Sequence, residues 1–412
     1  MFPSGFYRDE NGELNVQGIK IDDLTAKYGT PLFIYDTGLM KKRYELFLNT
    51  VKNVKGNIHY AVKANDLVNI IKFFGKLGAG ADIVSIGEFH KCIAAGITPD
   101  KIIFSGVGKD KNEIETAIKN KILQFNIESE EELYDIYEVA SKLKITANIC
   151  LRINPDIAPN THKKISTGEK ETKFGIDNED IFSIYKKLHK LKYINPVGLG
   201  VHIGSQIFDF NFFHEAYSNL KSVADKLKID GFKVPTLDLG GGIGIYYDEN
   251  KNPDFETYKK VISDLFLDSE YKLSFEPGRI LIAEAGVLVT KVIRNKKNKD
   301  KNFIIIDAAM NDLIRPALYG AVHQILPSIK KNKKSKKIYE FVGPICESTD
   351  KFSAIKNFQL LEESDIIAIC DVGAYGMSLS SNYNLRPKPL EILINGSKIR
   401  VIKKRQKYRD II

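Results

Sequence analysis

Between about residue 57 and residue 276 the chain alternates short apolar runs with amphipathic stretches, eight times over. The runs are Ile58 to Val62, Ala81 to Val84, Lys101 to Phe104, Leu123 to Ile127, Thr146 to Ile153, Val197 to Ile203, Thr236 to Leu239 and Lys272 to Phe275. They are rich in Val, Ile and Leu, as strands buried on both faces must be. The stretches between them carry helical spacing. Leu67 to Leu77 sets Leu67, Ile70, Ile71, Phe74 and Leu77 on one side, and Asn211 to Leu227 and Phe255 to Leu267 behave alike. Eight strand-helix alternations in roughly 250 residues predict an α/β fold of the TIM type, a (β/α)8 barrel. A doubly wound parallel sheet is the alternative that periodicity leaves open.

After Glu284 the rhythm changes. Val287 to Arg294, Phe303 to Asp307, Lys337 to Val342, Ile366 to Cys370, Leu390 to Ile394 and Lys398 to Lys403 read as strands with no long helices between them. This predicts a C-terminal all-β domain, a sandwich or barrel. The first thirty residues do not fit the barrel rhythm and are expected to pair with that domain. A chain of 412 residues is too long for one ordinary core. The expected division is 30–282 for the barrel, with 1–29 and 283–412 forming the β domain.

Hydrophobic residues at 43% and charged residues at 27% describe a globular chain. The formal charge of +9 raises the question of a nucleic-acid partner. The lysines, however, fall in short scattered runs (Lys296 to Lys301, Lys330 to Lys337, Lys403 to Lys407) without interleaved aromatics that could stack bases. Solvated loops are the better reading, and a positive field also suits an anionic substrate. The four cysteines, at 92, 150, 346 and 370, form no CxxC pair and suit neither zinc nor a disulfide framework. A reducing cytoplasm and no metal are therefore expected. The start, MFPSGFYRDENGELN, carries charges where a signal peptide needs an apolar run, and no apolar stretch approaches the ~18 residues of a membrane span.

A barrel of this kind carries its chemistry on the loops that follow the strands. After the first comes His59-Tyr60-Ala61-Val62-Lys63-Ala64-Asn65. A half-buried lysine there would favour its neutral, nucleophilic form, able to condense with an aldehyde. Taken alone, a surface lysine is the commoner explanation. After the sixth comes His202-Ile203-Gly204-Ser205-Gln206, where an imidazole could stack on a flat ring and Ser205 could donate to phosphate; a packed core histidine is equally open. After the seventh comes Asp238-Leu239-Gly240-Gly241-Gly242-Ile243-Gly244. Consecutive glycines let backbone N–H groups close on a phosphate, although a plain glycine turn is the alternative. No Lys-Ser/Thr follows, which excludes a Walker A loop. After the eighth comes Glu276-Pro277-Gly278-Arg279. The loops after strands seven and eight form the usual barrel phosphate site. An inward carboxylate here would keep a pyridine nitrogen protonated, and Arg279 suits a carboxylate or phosphate. A structural Glu–Arg pair would look the same. Together, one rim gathers a lysine, an aromatic stacker, a phosphate loop and an acid. That is the set pyridoxal 5'-phosphate (PLP) requires.

In these segments the chain resembles the PLP decarboxylases of the alanine-racemase fold (fold type III), and among them the diaminopimelate decarboxylases. The likeness runs over nearly the whole length. It includes Tyr60 to Asn65, Gly80-Ala81-Asp82 to Gly87-Glu88, Lys173-Phe174-Gly175, His202 to Gln206, Gly240 to Gly244 and Glu276 to Arg279. In the second domain it includes Met310 to Tyr319, Cys346-Glu347-Ser348-Thr349-Asp350 and Gly373-Ala374-Tyr375-Gly376. The resemblance implies decarboxylation of meso-2,6-diaminopimelate to L-lysine by a homodimer whose active sites lie at the interface. It implies that Lys63 holds PLP with Asp82 nearby, that His202 stacks on the ring, and that Glu276 pairs with the pyridine nitrogen. Ser205, Gly241, Gly242, Gly278 and Tyr375 would hold phosphate. Arg279, Arg315 and Tyr319, with Tyr375, would grip substrate carboxylate. Cys346 and Glu347 would reach in from the partner subunit, Glu347 toward the distal ammonium. One departure is Ile280, where the family more often has a small polar residue.

Other classes make different demands. An ornithine- or arginine-type decarboxylase of the same fold faces a distal cation without a carboxylate, and tends to carry Asp where this chain has Glu347. A racemase prefers an arginine near the pyridine nitrogen, where this chain has Glu276. An inactive regulator on the fold would be expected to lose Lys63 or Cys346, and both are present. Among the loops, the polar segment Asp156 to Thr172 is a candidate lid.

Overall fold

The computed structural model describes residues 5–159, 162–169, 172–188, 190–247 and 251–412. The chain divides into two compact units, one of Tyr44–Gly244 with Pro253–Gly278 and one of Met1–Arg43, Ile245–Asn252 and Arg279–Ile412.

The first unit is a closed parallel barrel. Its eight strands are Gly56–Ala61, Gly80–Ile83, Ile102–Phe104, Gln124–Ile127, Ala147–Asn154, Ile194–Val201, Thr236–Asp238 and Lys272–Phe275. Closure is shown by the eighth strand pairing with the first (Leu273 opposite Gly56) and the fourth with the fifth (Phe125 opposite Ile149). That settles the choice against an open doubly wound sheet. A two-residue strand, Ile176–Asp177, adds to the end of the fifth. Several helices between strands begin on side-chain caps that their sequences supply. Ser85 accepts from the Glu88 amide, Ser129 from the Glu132 amide, and Asp110 forms a reciprocal capping box with Glu113. The core is aromatic as well as aliphatic: Tyr60, Phe74, Phe104, Phe125, Tyr185, Tyr217 and Tyr258 are among its fully buried side chains.

Four barrel-strand ends fall short of the sequence expectation, and two of them matter. The sixth ends at Val201, so His202 begins the loop. The first ends at Ala61, so Lys63 lies in the 3-10 turn Val62–Ala64.

The second unit is built on a mixed sheet. Along it run Lys351–Lys356, Ile338–Val342, Lys301–Ile306, Gly286–Asn298, Leu32–Asp36, Leu390–Asn395 and Lys398–Lys403, while Ile366–Ile369 pairs with both Gly286–Asn298 and Ile325–Pro327. The N-terminal segment does pack here. Its strands Phe6–Arg8, Leu14–Val16 and Ile19–Lys20 form a small sheet, and Phe6, Leu14, Val16, Ile21 and Leu24 share a core with Val287, Val289, Ile392 and Ile394. The Leu14 amide donates to the Ser328 carbonyl at 2.7 Å. Leu32–Asp36 is buried at all five positions and lies antiparallel to Gly286–Asn298 and parallel to Leu390–Asn395. Residues 30–43 therefore group with the β unit, where a boundary at 30 would give them to the barrel. Arg279–Ile282 groups with it as well. Ile280 is buried there, its side chain spent on packing.

Candidate active site

In the barrel unit, the Lys63 turn follows the first strand. Tyr60, packed at 4.5 Å on the Phe74 ring, donates from its hydroxyl to the Asn65 carbonyl at 3.0 Å and ties the turn down. Lys63 Nζ donates to Asp82 Oδ2 at 3.0 Å, with about a third of the lysine side chain exposed and none of the aspartate. The other oxygen, Asp82 Oδ1, is buried with no hydrogen-bond partner among the described residues. The amine is thus half-buried, as the sequence suggests, and meets a carboxylate and solvent.

Asn126, on the fourth strand, bridges two acids. Its amide donates to Asp238 Oδ2 at 3.0 Å and to Glu276 Oε1 at 3.2 Å. Gln124 holds Asn126 Oδ1 at 2.8 Å. Burial pushes the Glu276 carboxyl well above the usual carboxylate range, the Asp238 and Asp82 charges push the same way, and Lys63 opposes them. Asp238 is also raised, chiefly by burial. Two buried carboxyls in hydrogen-bond contact cannot both ionise, so the pair retains a proton.

His202, one residue past the sixth strand, accepts from the Gly241 amide at Nδ1, 3.2 Å away. Its pKa is held well below the ordinary value, first by burial and then by the Arg152 and Lys63 cations. The imidazole is neutral, with its proton on Nε2, an assignment the hydrogen bond dictates. Arg152 donates to the His202 carbonyl at 2.9 Å and to Glu128 Oε1 at 2.7 Å, and its guanidinium lies 5.0 Å from the Phe174 ring centroid. Glu128 Oε2 in turn takes the Gly175 amide at 2.8 Å. The Lys173-Phe174-Gly175 motif therefore acts through Arg152 and Glu128, which sequence reasoning missed.

The glycines make a tight rim. A Cβ on Gly241 would stand 2.3 Å from the Glu276 carbonyl oxygen, and one on Gly278 would stand 3.0 Å from Ala61 Cβ. Gly242 has φ +114, and its own Cβ would meet the Gly204 carbonyl at 2.4 Å. The loops after strands one, six, seven and eight are thus pressed together as bare backbone. Ser205 shares this rim, its amide bonded to the Ile165 carbonyl at 3.1 Å. The candidate lid lies partly outside the described residues, at 160, 161, 170 and 171.

The β unit carries the remaining candidates. Arg279 opens the helix Arg279–Ile282 and Arg315 opens Arg315–Tyr319. Both are buried. Arg279 Nη1 donates to the Tyr247 hydroxyl at 2.6 Å, and its guanidinium lies 4.6 Å from the Tyr375 ring centroid. The Arg315 guanidinium lies 4.1 Å from the Tyr247 ring centroid, and its Nη1 meets His323 Nε2 at 2.7 Å. The phenol of Tyr319 is close enough to influence both arginines electrostatically. Tyr247 and His323 are further residues that the sequence reading passed over. Tyr247 follows the glycine loop by three residues and His323 follows Tyr319 by four, so proximity in sequence was the available signal.

Cys346 and Glu347 form a second cluster, on an exposed loop as their polar neighbours suggest. The Cys346 amide donates to Asn384 Oδ1 at 3.3 Å. Glu347 accepts from the Tyr383 hydroxyl at 2.5 Å and from the Thr349 hydroxyl at 3.0 Å. Among the described residues there is no group of three or more His, Cys, Asp or Glu side chains arranged to hold a metal, and no helix long and apolar enough to cross a membrane.

The barrel residues fit PLP. They offer an amine beside a buried carboxylate oxygen that lacks a partner, a neutral imidazole, an acid pair holding a proton it could give to a ring nitrogen, and a glycine rim that any Cβ would fill. The family model for the pyridoxal binding domain of pyridoxal-dependent decarboxylases matches residues 37–283. A diaminopimelate decarboxylase of Aquifex aeolicus is 40% identical over 407 residues, covering 98% of this chain and 96% of its own. The structure of Helicobacter pylori diaminopimelate decarboxylase complexed with L-lysine is 40% identical with a TM-score of 0.90, over 95% of this chain and 98% of that one. The M. jannaschii diaminopimelate decarboxylase in co-complex with L-lysine is 35% identical with a TM-score of 0.92, over 100% and 98%.

Proposed function

The chain belongs to the pyridoxal-dependent decarboxylases and groups with the diaminopimelate decarboxylases, and from that premise we propose that it removes CO2 from meso-2,6-diaminopimelate to give L-lysine, the last step of lysine biosynthesis. The observation that carries the substrate is Arg315. It is a buried cation whose described contacts, His323 and the Tyr247 ring, are both neutral. Asp371 is the acid near enough to feel the charge, and burial pushes that carboxyl well above its usual range, toward the neutral form; a buried cation without an ionised partner is costly, and a carboxylate from the substrate removes that cost. A substrate ending only in an ammonium would meet Arg315 as like charge.

Bound PLP supplies an aldehyde for the substrate amine and a pyridinium ring that takes up the electron pair left as CO2 departs. Lys63 Nζ is the amine that anchors the aldehyde, and Asp82 orients it. The proton that Glu276 and Asp238 share would pass to the ring nitrogen, and Glu276, left as a carboxylate, would hold it there. His202, neutral and fixed by the Gly241 amide, offers a flat face without adding charge. Ser205 and the backbone of Gly241, Gly242 and Gly278 bind phosphate with Tyr375. Arg279, Arg315 and Tyr319 take the carboxylate that is retained, and Glu347 takes the distal ammonium. Cys346 Sγ or Lys63 Nζ returns the proton to the carbon that lost CO2. Cys346 and Glu347 are exposed on the single chain, which suits delivery to the site of a second copy in a homodimer. Four free cysteines, one of them exposed, suit a reducing cytoplasm.

The test is stoichiometric. PLP-loaded protein given meso-diaminopimelate releases one CO2 for each L-lysine formed. Protein that binds PLP yet releases no CO2 overturns the proposal and brings forward an inactive regulator.

A further inference from the structure

We propose that His323 and Tyr247 are positioning residues that fix Arg279 and Arg315 as one rigid, still-cationic frame for the substrate's retained carboxylate. The inference rests on the reading of those arginines as carboxylate binders.

A guanidinium only donates, so His323 Nε2, 2.7 Å from Arg315 Nη1, must present its lone pair. The ring proton is then on Nδ1, which faces the Cys370 carbonyl at 2.8 Å. One tautomer satisfies both contacts, and it ties the guanidinium to the backbone just beyond the strand Ile366–Ile369. Burial and the Arg315 charge hold His323 down to about 3, so the ring stays neutral wherever the enzyme works. Tyr247 completes the frame. Its face carries the Arg315 guanidinium at 4.1 Å, its ring centroid lies 4.9 Å from that of His323 with the two planes 66° apart, and its hydroxyl accepts from Arg279 at 2.6 Å. One phenol therefore touches both arginines and the imidazole that holds one of them.

The choice of neutral partners is the point. A carboxylate in place of His323 would orient Arg315 equally well, but would cancel the charge the substrate needs. A neutral lone pair and two ring faces orient without neutralising. Fixing two fork-shaped donors in advance also lowers the ordering cost of binding a carboxylate.

The experiment uses PLP-loaded enzyme and two ligands, L-lysine, which carries the carboxylate, and cadaverine, the same diamine without it. Binding is read from the visible spectrum of the cofactor, alongside KM and kcat for meso-diaminopimelate. His323→Asn keeps a donor toward Cys370 but removes the acceptor at the Nε2 position, whereas His323→Gln restores an acceptor there. The expected result is that His323→Asn weakens L-lysine and raises KM about tenfold, with kcat falling less, while cadaverine binds as before; the size is that of one lost charge-assisted hydrogen bond. His323→Gln recovers most of the loss, and Tyr247→Phe, which loses only the acceptor for Arg279, weakens L-lysine alone. Should His323→Asn not fold, Tyr247→Phe carries the same comparison. Equal weakening of both ligands indicates a merely structural role and overturns the inference. So does unchanged L-lysine affinity in the His323 and Tyr247 variants when Arg315→Met has lost it. If Arg315→Met itself binds L-lysine normally, the carboxylate reading falls and the inference with it.

Discussion

The Gly241 amide donates to His202 Nδ1 across 3.2 Å and so decides which nitrogen of a buried imidazole carries the proton. The loop after the seventh strand thereby fixes the chemistry of the loop after the sixth. This works because residue 241 has no side chain: a Cβ there would stand 2.3 Å from the Glu276 carbonyl.

Gly241→Ala is expected to weaken PLP binding about tenfold or more, since a backbone clash of this kind costs roughly 1–3 kcal/mol. Gly108→Ala is the control, because a Cβ at that position meets nothing within 4 Å. Titration with PLP, followed by absorbance, compares them. Equal affinities would show that the glycine rim does not hold the cofactor.

Glu276→Gln keeps the shape and the Asn126 contact but removes the acid. The expected loss is about a hundred- to a thousandfold in kcat, the usual effect of deleting one preorganised electrostatic partner. Lys63→Ala should lose at least as much, together with any covalent trapping of PLP by borohydride. Normal turnover in Lys63→Ala would contradict the role given to that amine.

The barrel was legible in the sequence because each of its strands is an apolar run and each gap a helix. Local pattern did not say which strand pairs with which. Leu32–Asp36 falls inside the expected barrel bounds of 30–282, yet its partners begin at residues 286 and 390. Lys351–Lys356, whose side chains alternate in burial, was passed over because its run is short and flanked by charge. In the site, residues on strand ends or in dense motifs are proposed from position: Lys63, His202, Glu276, Arg315. Asn126, Arg152, Tyr247 and His323 owe their roles to partners brought in from elsewhere in the chain, and no local pattern marks such residues.

Acid stability has a readable component in His59. It is buried, its Nδ1 lies 3.2 Å from the Lys101 carbonyl, and Nε2 has no partner among the described residues. Burial lowers its pKa from 6.5 to about 4. The unfolded chain takes up the proton first, so stability present above pH 6.5 is lost as pH falls from 6.5 to about 4. His59→Asn keeps a donor toward Lys101 and does not titrate. Denaturant unfolding at stepped pH should show the advantage of wild type over the variant shrinking across that window by up to ~1.4 kcal/mol per pH unit. A constant difference would mean that His59 protonates normally in the fold.

Tyr383→Phe removes the 2.5 Å hydrogen bond to Glu347. Both groups are exposed, so the bond orients Glu347 more than it stabilises the fold. KM for meso-diaminopimelate should rise several-fold, with PLP affinity unchanged. Glu347→Ala should cost substrate discrimination more than PLP binding. If either change reduced PLP affinity as much as substrate affinity, Glu347 would not be a substrate ligand.

Substrate choice rests on what stands at the far end of the substrate. PLP-loaded enzyme should be given meso-diaminopimelate and L-ornithine in separate assays, with CO2 and the amine product followed to a kcat/KM for each. The account predicts L-lysine from diaminopimelate and no measurable putrescine from ornithine, because Arg315 waits for a carboxylate that ornithine lacks. Putrescine formed at a comparable rate would leave the fold and Lys63 in place but contradict the substrate assigned to this site.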